Sequence, residues 1–234
     1  MLTHKYTLPL LTIGTIVVFW LFMAHPQWDL AVARMAYGDG RFWADRGGLV
    51  HALRMIFWNA ALVMVVVAII ALSLAHSYAW PRRLLPAREW NIILWAFIIG
   101  PGLLVNVLLK GFSQRARPYD LLSFGGDKFY APIGQLSGQC DTNCSFVSGE
   151  VSGTTAFCLA MVILIQHHQP RLGARWTRAA YGALAASLAY VIGHRVLSGG
   201  HFLSDALLAA LFTALVFVFV AALWPQQGEA PPSA

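Results

Sequence analysis

Long apolar runs dominate this chain and recur six times, separated by short polar stretches. A membrane-spanning helix needs about 20 mostly apolar residues. Runs of this kind cover residues 8–24, 55–75, 90–109, 151–166, 179–193 and 202–223. The fourth and fifth runs are the mildest in hydropathy, and their small residues suit close packing between helices. The pattern therefore predicts an all-α, polytopic membrane protein built as a bundle of six transmembrane helices.

The segments outside these spans complete the predicted organisation. Residues 29–37 form a short amphipathic stretch, which favours an interfacial helix. The first span resembles a signal peptide, but its long apolar run and the lack of a clear cleavage site favour a retained anchor. In the third span, Gly100-Pro101-Gly102 predicts a kink or local unwinding. We expect a single domain over residues 1–224 and a disordered tail over 225–234, which is rich in Pro, Gln and Ala.

Composition and charge agree with a membrane protein and indicate its partners. The chain is 58% hydrophobic and 11% charged, with a net charge of +6. This positive charge favours contact with the bilayer and an anionic lipid. The sequence shows no basic surface with interleaved aromatic residues, so no nucleic-acid partner is expected. Lys and Arg are nearly balanced between the two sides, but the short, acid-poor loops 81–89 and 168–178 favour the cytoplasm. The opposite ends of the helices are therefore expected to face outward.

Three polar clusters lie at the borders of the predicted spans, where a bundle would bring them to one face. They comprise Lys110 through Arg117-Pro118, then Ser148-Gly149-Glu150, and finally Arg195, His201 and Asp205. A helix that starts at Ser148-Gly149 presents unpaired N–H groups to an anion. His201 and Asp205 are four residues apart and share one helix face. Each piece alone has a plain explanation, such as a snorkelling cation, a helix start or a hydrogen-bonded pair. Their joint arrangement predicts a phosphate site.

The spacing of these residues resembles the motifs of the type-2 phosphatidic acid phosphatase superfamily. The first motif, Lys, six residues, Arg-Pro, matches Lys110 to Pro118. The second, Pro-Ser-Gly-His, aligns with residues 147–150, and the third, Ser-Arg, five residues, His, three residues, Asp, aligns with residues 194–205. The order and the gaps match, and six spans agree with the membrane branch. The departures are Val147, Glu150 and His194.

The resemblance implies a role for each matched residue. His201 would attack phosphorus and form a phosphohistidine, while Asp205 would hold its imidazole in the right tautomer. The phosphate oxygens would be bound by cations and by helix N–H groups. These phosphate-binding residues are Lys110, Arg117, Ser148, Gly149 and Arg195. No metal or other cofactor is expected, because the cations replace it.

Glu150 stands where the superfamily has a histidine that protonates the leaving alkoxide. Three hypotheses follow. Glu150 is the general acid for an unusual substrate, or it acts mainly as a base or a headgroup ligand, or the leaving group needs little protonation. A raised pKa would favour the first hypothesis, but nearby Lys and Arg oppose such a shift. His194 is a further candidate for the acid.

Residues 124–129 and 140–150 also resemble the lipid A 4′-phosphatase-like bacterial branch. That branch implies removal of a sugar-linked phosphate at the periplasmic face of the inner membrane, with Lys128 either holding a second anionic group or simply solvated. Undecaprenyl diphosphate and phosphatidylglycerophosphate are the next substrates to consider. A transporter is disfavoured because transporter sites usually lie near the bilayer midplane. A non-catalytic lipid-binding relative is the remaining alternative.

Two cysteines in the polar stretch before the fourth span bear on the compartment. Cys140 and Cys144 flank Asp-Thr-Asn on the expected outer side. A disulfide between them fits an oxidising compartment, and two reduced thiols are the alternative. A metal pair is disfavoured because no second pair of ligands follows.

Overall fold

The computed structural model describes residues 6–44, 48–75 and 77–224, and the predicted tail 225–234 lies outside them. Most of the described chain is helical, as the apolar pattern predicts. Its helices are α1 (Thr7–Ala24), α2 (Gln27–Met35), α3 (Gly48–Leu74), α4 (Trp80–Leu84), α5 (Ala87–Phe97), α6 (Lys110–Ser113), α7 (Gly149–Leu197) and α8 (Leu203–Leu223). A short antiparallel hairpin pairs β1 (Tyr37–Gly38) with β2 (Arg41–Phe42). The all-α membrane fold is confirmed.

Helix α7 is a hairpin of two arms. At Gly173 the backbone leaves the helical region (φ 75°, ψ 160°), a conformation that glycine adopts without a steric penalty. The Cys158 thiol lies 3.6 Å from the carbonyl oxygen of Leu184, whereas 26 residues of straight helix would span about 39 Å. The chain therefore folds back on itself, and the two ends of α7 meet at one side of the bundle.

The third apolar run changes its winding where the sequence predicts unwinding. Helix α5 continues as a π-helix over Ile98–Leu109, with Pro101 inside it. Proline lacks the N–H that an α-helix needs, and the wider winding accommodates the gap. The Asn106 side-chain amide donates to the carbonyl of Pro101 at 2.7 Å. This winding leads into α6 and brings Asn106 and Lys110 to the wall of one cavity.

The helices expose much of their apolar surface. Leu10 in α1 is 67% exposed and Ile56 in α3 is 59% exposed, as expected for helices whose outer faces meet lipid rather than water. In the described residues, five helical stretches are long and apolar enough to cross a membrane, and the α7 hairpin counts as one of them. The chain is a multi-pass membrane protein. The count of six spans stays a prediction, which the two arms of α7 support.

The predicted amphipathic stretch forms α2, but its buried side carries a charge. Ala33 packs in a cluster with Leu121 and Phe202, and Asp29 is only 1% exposed. Periodicity alone gave no reason to expect a buried carboxylate on this helix. The placement of α2 at a membrane interface stays a prediction.

Candidate active site

The three predicted clusters meet around one cavity. It has a volume of about 360 Å³ and lies between α3, the π-helix, the start of α7 and the turn before α8. Its lining residues are Arg54, Met55, Trp58, Asn106, Lys110, Arg117, Asn143, Gly149, Glu150, Arg195 and His201. The bundle thus brings together residues more than 90 positions apart.

His201 is buried, and one of its ring nitrogens is engaged. Nδ1 lies 2.7 Å from the backbone carbonyl oxygen of Ser145. A carbonyl oxygen only accepts, so Nδ1 carries the proton and Nε2 keeps its lone pair. Burial, together with Arg195 and Arg117, holds the pKa of His201 well below its usual value. The imidazole is therefore neutral and presents a nucleophilic nitrogen to the cavity.

Asp205 does not make the contact that the family resemblance implies. Its described partners are the Arg115 guanidinium at 2.6 Å, the Ser145 hydroxyl at 2.5 Å and the backbone N–H of Phe202 at 3.1 Å. Among the described residues, the carboxylate has no hydrogen bond to His201. Ser145 links the two side chains, since its hydroxyl donates to Asp205 and its carbonyl oxygen accepts from His201.

Arg115 explains why Asp205 is drawn away from the histidine. Its guanidinium is 1% exposed and also pairs with Asp29 at 2.9 Å. Asp29 in turn accepts hydrogen bonds from the backbone N–H and the hydroxyl of Ser204, at 3.0 and 2.5 Å. Burial raises the pKa of Asp29, and Arg115 lowers it. A charged network therefore joins α2 to the start of α8, and Ser145 connects it to His201.

The cations of the first motif line the cavity as predicted. Arg117 is held by the Asn143 carbonyl oxygen, which accepts from Nε at 2.9 Å and from Nη2 at 2.7 Å. The Lys110 ammonium donates to the Asn143 side-chain oxygen at 3.3 Å. One loop residue thus fixes both cations. The sequence gave no signal that would have selected Asn143.

Arg195 lies against the turn before His201. Among the described residues, its guanidinium pairs with the Glu150 carboxylate, 3.6 Å from Nη1, and its Nε is buried without a hydrogen bond to any of them. A Cβ atom on Gly200 would lie 2.1 Å from Arg195 Nη2, so the guanidinium needs a glycine there. The turn at Gly200 therefore packs closely against the Arg195 guanidinium, whose Nε has no hydrogen bond to a described residue.

The start of α7 is built as predicted. Ser148 is its N-cap, and its hydroxyl oxygen accepts from the N–H of Val151 at 3.4 Å. Gly149 lines the cavity, and a Cβ at this position would lie 2.8 Å from the side-chain oxygen of Asn106. Glycine therefore lets the helix start approach the π-helix, and the positive end of α7 faces the cavity.

Glu150 forms a bidentate ion pair with Arg54 of α3. Arg54 Nε lies 2.5 Å from one carboxylate oxygen and Nη2 lies 2.7 Å from the other. Two charge-assisted hydrogen bonds stabilise the ionised carboxylate, which has no proton to donate. Of the three hypotheses, this geometry disfavours the general acid and favours a residue that positions cations. Arg54 also lines the cavity, and no sequence motif singled it out.

The remaining candidates fall outside this cavity. His194 is buried in the second arm of α7 and does not line it. Lys128 is partly exposed and lies 3.5 Å from the Asp127 carboxylate. The structure pairs Cys140 with Cys144, with their Cα atoms 5.6 Å apart, which supports the predicted disulfide. The absence of a metal or other cofactor stays a prediction.

The family assignment comes from comparison with known proteins. The model of the PAP2 superfamily matches residues 89–229, which include all three motifs. The chain belongs to this superfamily. The prediction of a phosphatase of this membrane class is confirmed, and its site residues stay predictions.

Three similar proteins are named lipid A 4′-phosphatase. The protein from Rhizobium leguminosarum is 39% identical over 142 residues, which cover 60% of this chain and 57% of that protein. The Rhizobium etli protein is 34% identical, and the alignment covers 88% of this chain and 77% of that protein. The Francisella tularensis subsp. novicida protein is 30% identical, and the alignment covers 93% of this chain and 96% of that protein. The chain thus spans little more than half of the first relative and nearly all of the third.

A solved structure shares the fold. The transmembrane PAP2-type phosphatidylglycerolphosphate phosphatase from Bacillus subtilis superposes with a TM-score of 0.62 at 18% identity, covering 93% of this chain and 96% of that one. At this identity the likeness concerns the fold alone.

Proposed function

We propose that this chain hydrolyses a phosphate monoester of an anionic lipid through a phosphohistidine intermediate, with lipid A as the substrate. The observation that carries the proposal is the state of His201. Its Nδ1–H is bound to the Ser145 carbonyl oxygen at 2.7 Å, and the ring lines a cavity that also contains Lys110, Arg117 and Arg195. A neutral imidazole beside three cations is suited to attack phosphorus.

The reaction follows from these contacts in two steps. In the first, Nε2 of His201 forms a bond to phosphorus while the bond from phosphorus to the lipid oxygen breaks, and that oxygen takes up a proton. In the second, water attacks phosphorus, the N–P bond breaks, and inorganic phosphate leaves with the imidazole restored. Ser145 keeps the Nδ1 proton in place throughout, and the cations stabilise the charge on the phosphoryl oxygens.

Glu150 supports this reaction as a positioning residue. It lies 2.7 Å or less from two nitrogens of Arg54 and 3.6 Å from Nη1 of Arg195. It therefore holds two arginines that enter the cavity from different helices. Under this proposal the proton for the leaving oxygen comes from another group or from water in the cavity.

Lipid A is favoured over the other lipids by the named relatives, which align across most of this chain at 30% and 34% identity. The likeness to the phosphatidylglycerolphosphate phosphatase rests on the fold alone. The acid-poor loops 81–89 and 168–178 and the paired cysteines support a site on the periplasmic face of the inner membrane.

The test is phosphate release from lipid A by the purified protein, compared with its His201→Ala variant. We expect the variant to lose at least about 10³-fold in rate, because no nucleophile remains. We also expect the unchanged protein to form an acid-labile phosphoenzyme that the variant lacks. His167→Ala, an exposed histidine of α7, is the matched control. Release by His201→Ala at the unchanged rate would refute the mechanism, and no release from any anionic lipid would refute the function.

A further inference from the structure

A second cavity lies beside the first and has no role in the reaction described above. It has a volume of about 190 Å³ and shares three arginines with the catalytic cavity. Its lining residues are His51, Arg54, Arg117, Tyr119, His194, Arg195, Ser198 and Gly200. Five of these residues do not line the catalytic cavity: His51, Tyr119, His194, Ser198 and Gly200. The two cavities are therefore neighbouring compartments separated by guanidinium groups.

The second cavity contains buried polar groups that lack a partner. His194 is 4% exposed, and neither of its ring nitrogens has a hydrogen bond to any described residue. Nε of Arg195, which lines the same cavity, is also buried and without such a bond. Buried polar groups in folded proteins are almost always paired. Polar atoms without a protein partner that line a cavity are free to bind a ligand that enters it.

The charges that line this cavity identify the class of that ligand. Three arginines and two histidines line it, whereas no Asp or Glu is among its lining residues. Arg54 has a separate contact toward each compartment. Its Nε and Nη2 bind Glu150, which lines only the catalytic cavity, and its Nη1 lies 3.2 Å from Nδ1 of His51. Such a donor-rich, carboxylate-free lining suits an oxyanion.

We propose that the second cavity binds a phosphate or similar oxyanion next to the phosphate that is removed. The inference rests on the proposed function, since it assigns the catalytic phosphate to the cavity of His201. Two sources supply this chemistry: a second phosphate group on the same lipid, and the inorganic phosphate released by the reaction. Arg195 lines both cavities, whereas His194 lines the second and not the catalytic one.

The test compares bisphosphorylated and monophosphorylated lipid A as substrates of the protein in nanodiscs. If the lipid supplies the second anion, we expect His194→Gln and His51→Gln each to lower the ratio of kcat/KM for the two substrates by about tenfold to a hundredfold, the usual range for a hydrogen bond to a charged group. If the anion is the released phosphate, the ratio stays and the Ki of inorganic phosphate rises by a similar factor. The control is His167→Gln, which lies far along α7 from the cavity.

An unchanged ratio together with an unchanged Ki in both variants would overturn the inference. If His194→Gln does not fold, the kcat/KM ratio and the Ki of His51→Gln alone test the inference. Binding of the two lipids and of inorganic phosphate to the His201→Ala protein, with and without His194→Gln, gives a readout that needs no catalysis. If the unchanged protein releases no phosphate, the proposed function fails, but this binding comparison still tests the second cavity.

Discussion

Replacing Arg115 by Met tests the buried charged network next to His201. Arg115 lies 2.6 Å from Asp205 and 2.9 Å from Asp29, and all three side chains are at most 1% exposed. Met keeps the length of the chain but leaves both carboxylates buried without their cation. Removing one partner of a buried ion pair costs about 3–5 kcal/mol. For a protein of this size that corresponds to a fall in Tm of roughly 6–20 °C.

The loss of stability should depend on pH in a defined direction. Burial already raises the pKa of Asp29, and Arg115 opposes that rise. Without Arg115 the pKa rises further, so the folded state binds a proton that it must lose as the pH increases. A carboxyl group with a raised pKa stabilises the fold at low pH and loses that contribution as the pH passes its folded value. The gap in Tm between the unchanged protein and Arg115→Met should therefore widen from pH 5 to pH 8.

The measurement is the thermal unfolding of both proteins in detergent at the two pH values. Arg34→Met is the matched control, since Arg34 is an exposed arginine of α2. We expect the control to change Tm by no more than a degree or two. A fall for Arg115→Met that equals the control, or that is larger at pH 5 than at pH 8, would refute the reasoning.

Two further substitutions test the catalytic cavity itself. Glu150→Gln should raise KM about tenfold, because a neutral amide binds Arg54 more weakly, and should leave the basic limb of the pH–rate profile in place; loss of that limb would restore Glu150 as the general acid. Gly200→Ala should lower kcat/KM roughly tenfold to a hundredfold, since its Cβ would displace the Arg195 guanidinium. Gly193→Ala, which has open space around its Cβ, should have little effect, and equal losses in the two alanine variants would contradict the fit described for Arg195.

The sequence predicted the parts of this protein that depend on local pattern. Apolar runs placed the helices because each must satisfy its own backbone hydrogen bonds in lipid. The change of helical winding near Pro101 was also predictable, because proline has no backbone N–H to donate to the preceding turn. Motif spacing selected Lys110, Arg117, Arg195 and His201, which the bundle brings to one cavity.

The contacts that the sequence did not predict all depend on tertiary packing. Arg54 lies 96 residues from Glu150, and Arg115 lies 86 residues from Asp29. In a linear pattern, a charged residue near a span border is most simply a snorkelling one. Nothing in the spacing shows that Arg115, between two motif cations, turns into the core and takes Asp205 as its partner. The expected contact between Asp205 and His201 is not formed, because the Asp205 carboxylate pairs with Arg115 instead.

The charge of the catalytic cavity connects these findings to its chemistry. Among its lining residues, four cations face a single carboxylate, Glu150. Burial, together with this surplus positive charge, lowers the pKa of His201 and so keeps the proposed nucleophile neutral before a substrate binds. A phosphate monoester dianion would neutralise only part of this surplus, and in a partly buried site the remainder still attracts anions strongly. A second oxyanion beside Arg54 and Arg195 would neutralise the remaining positive charge. A histidine in place of Glu150 would leave a larger surplus of positive charge. Under the proposed function, Glu150 therefore sets how much negative charge the cavity accepts.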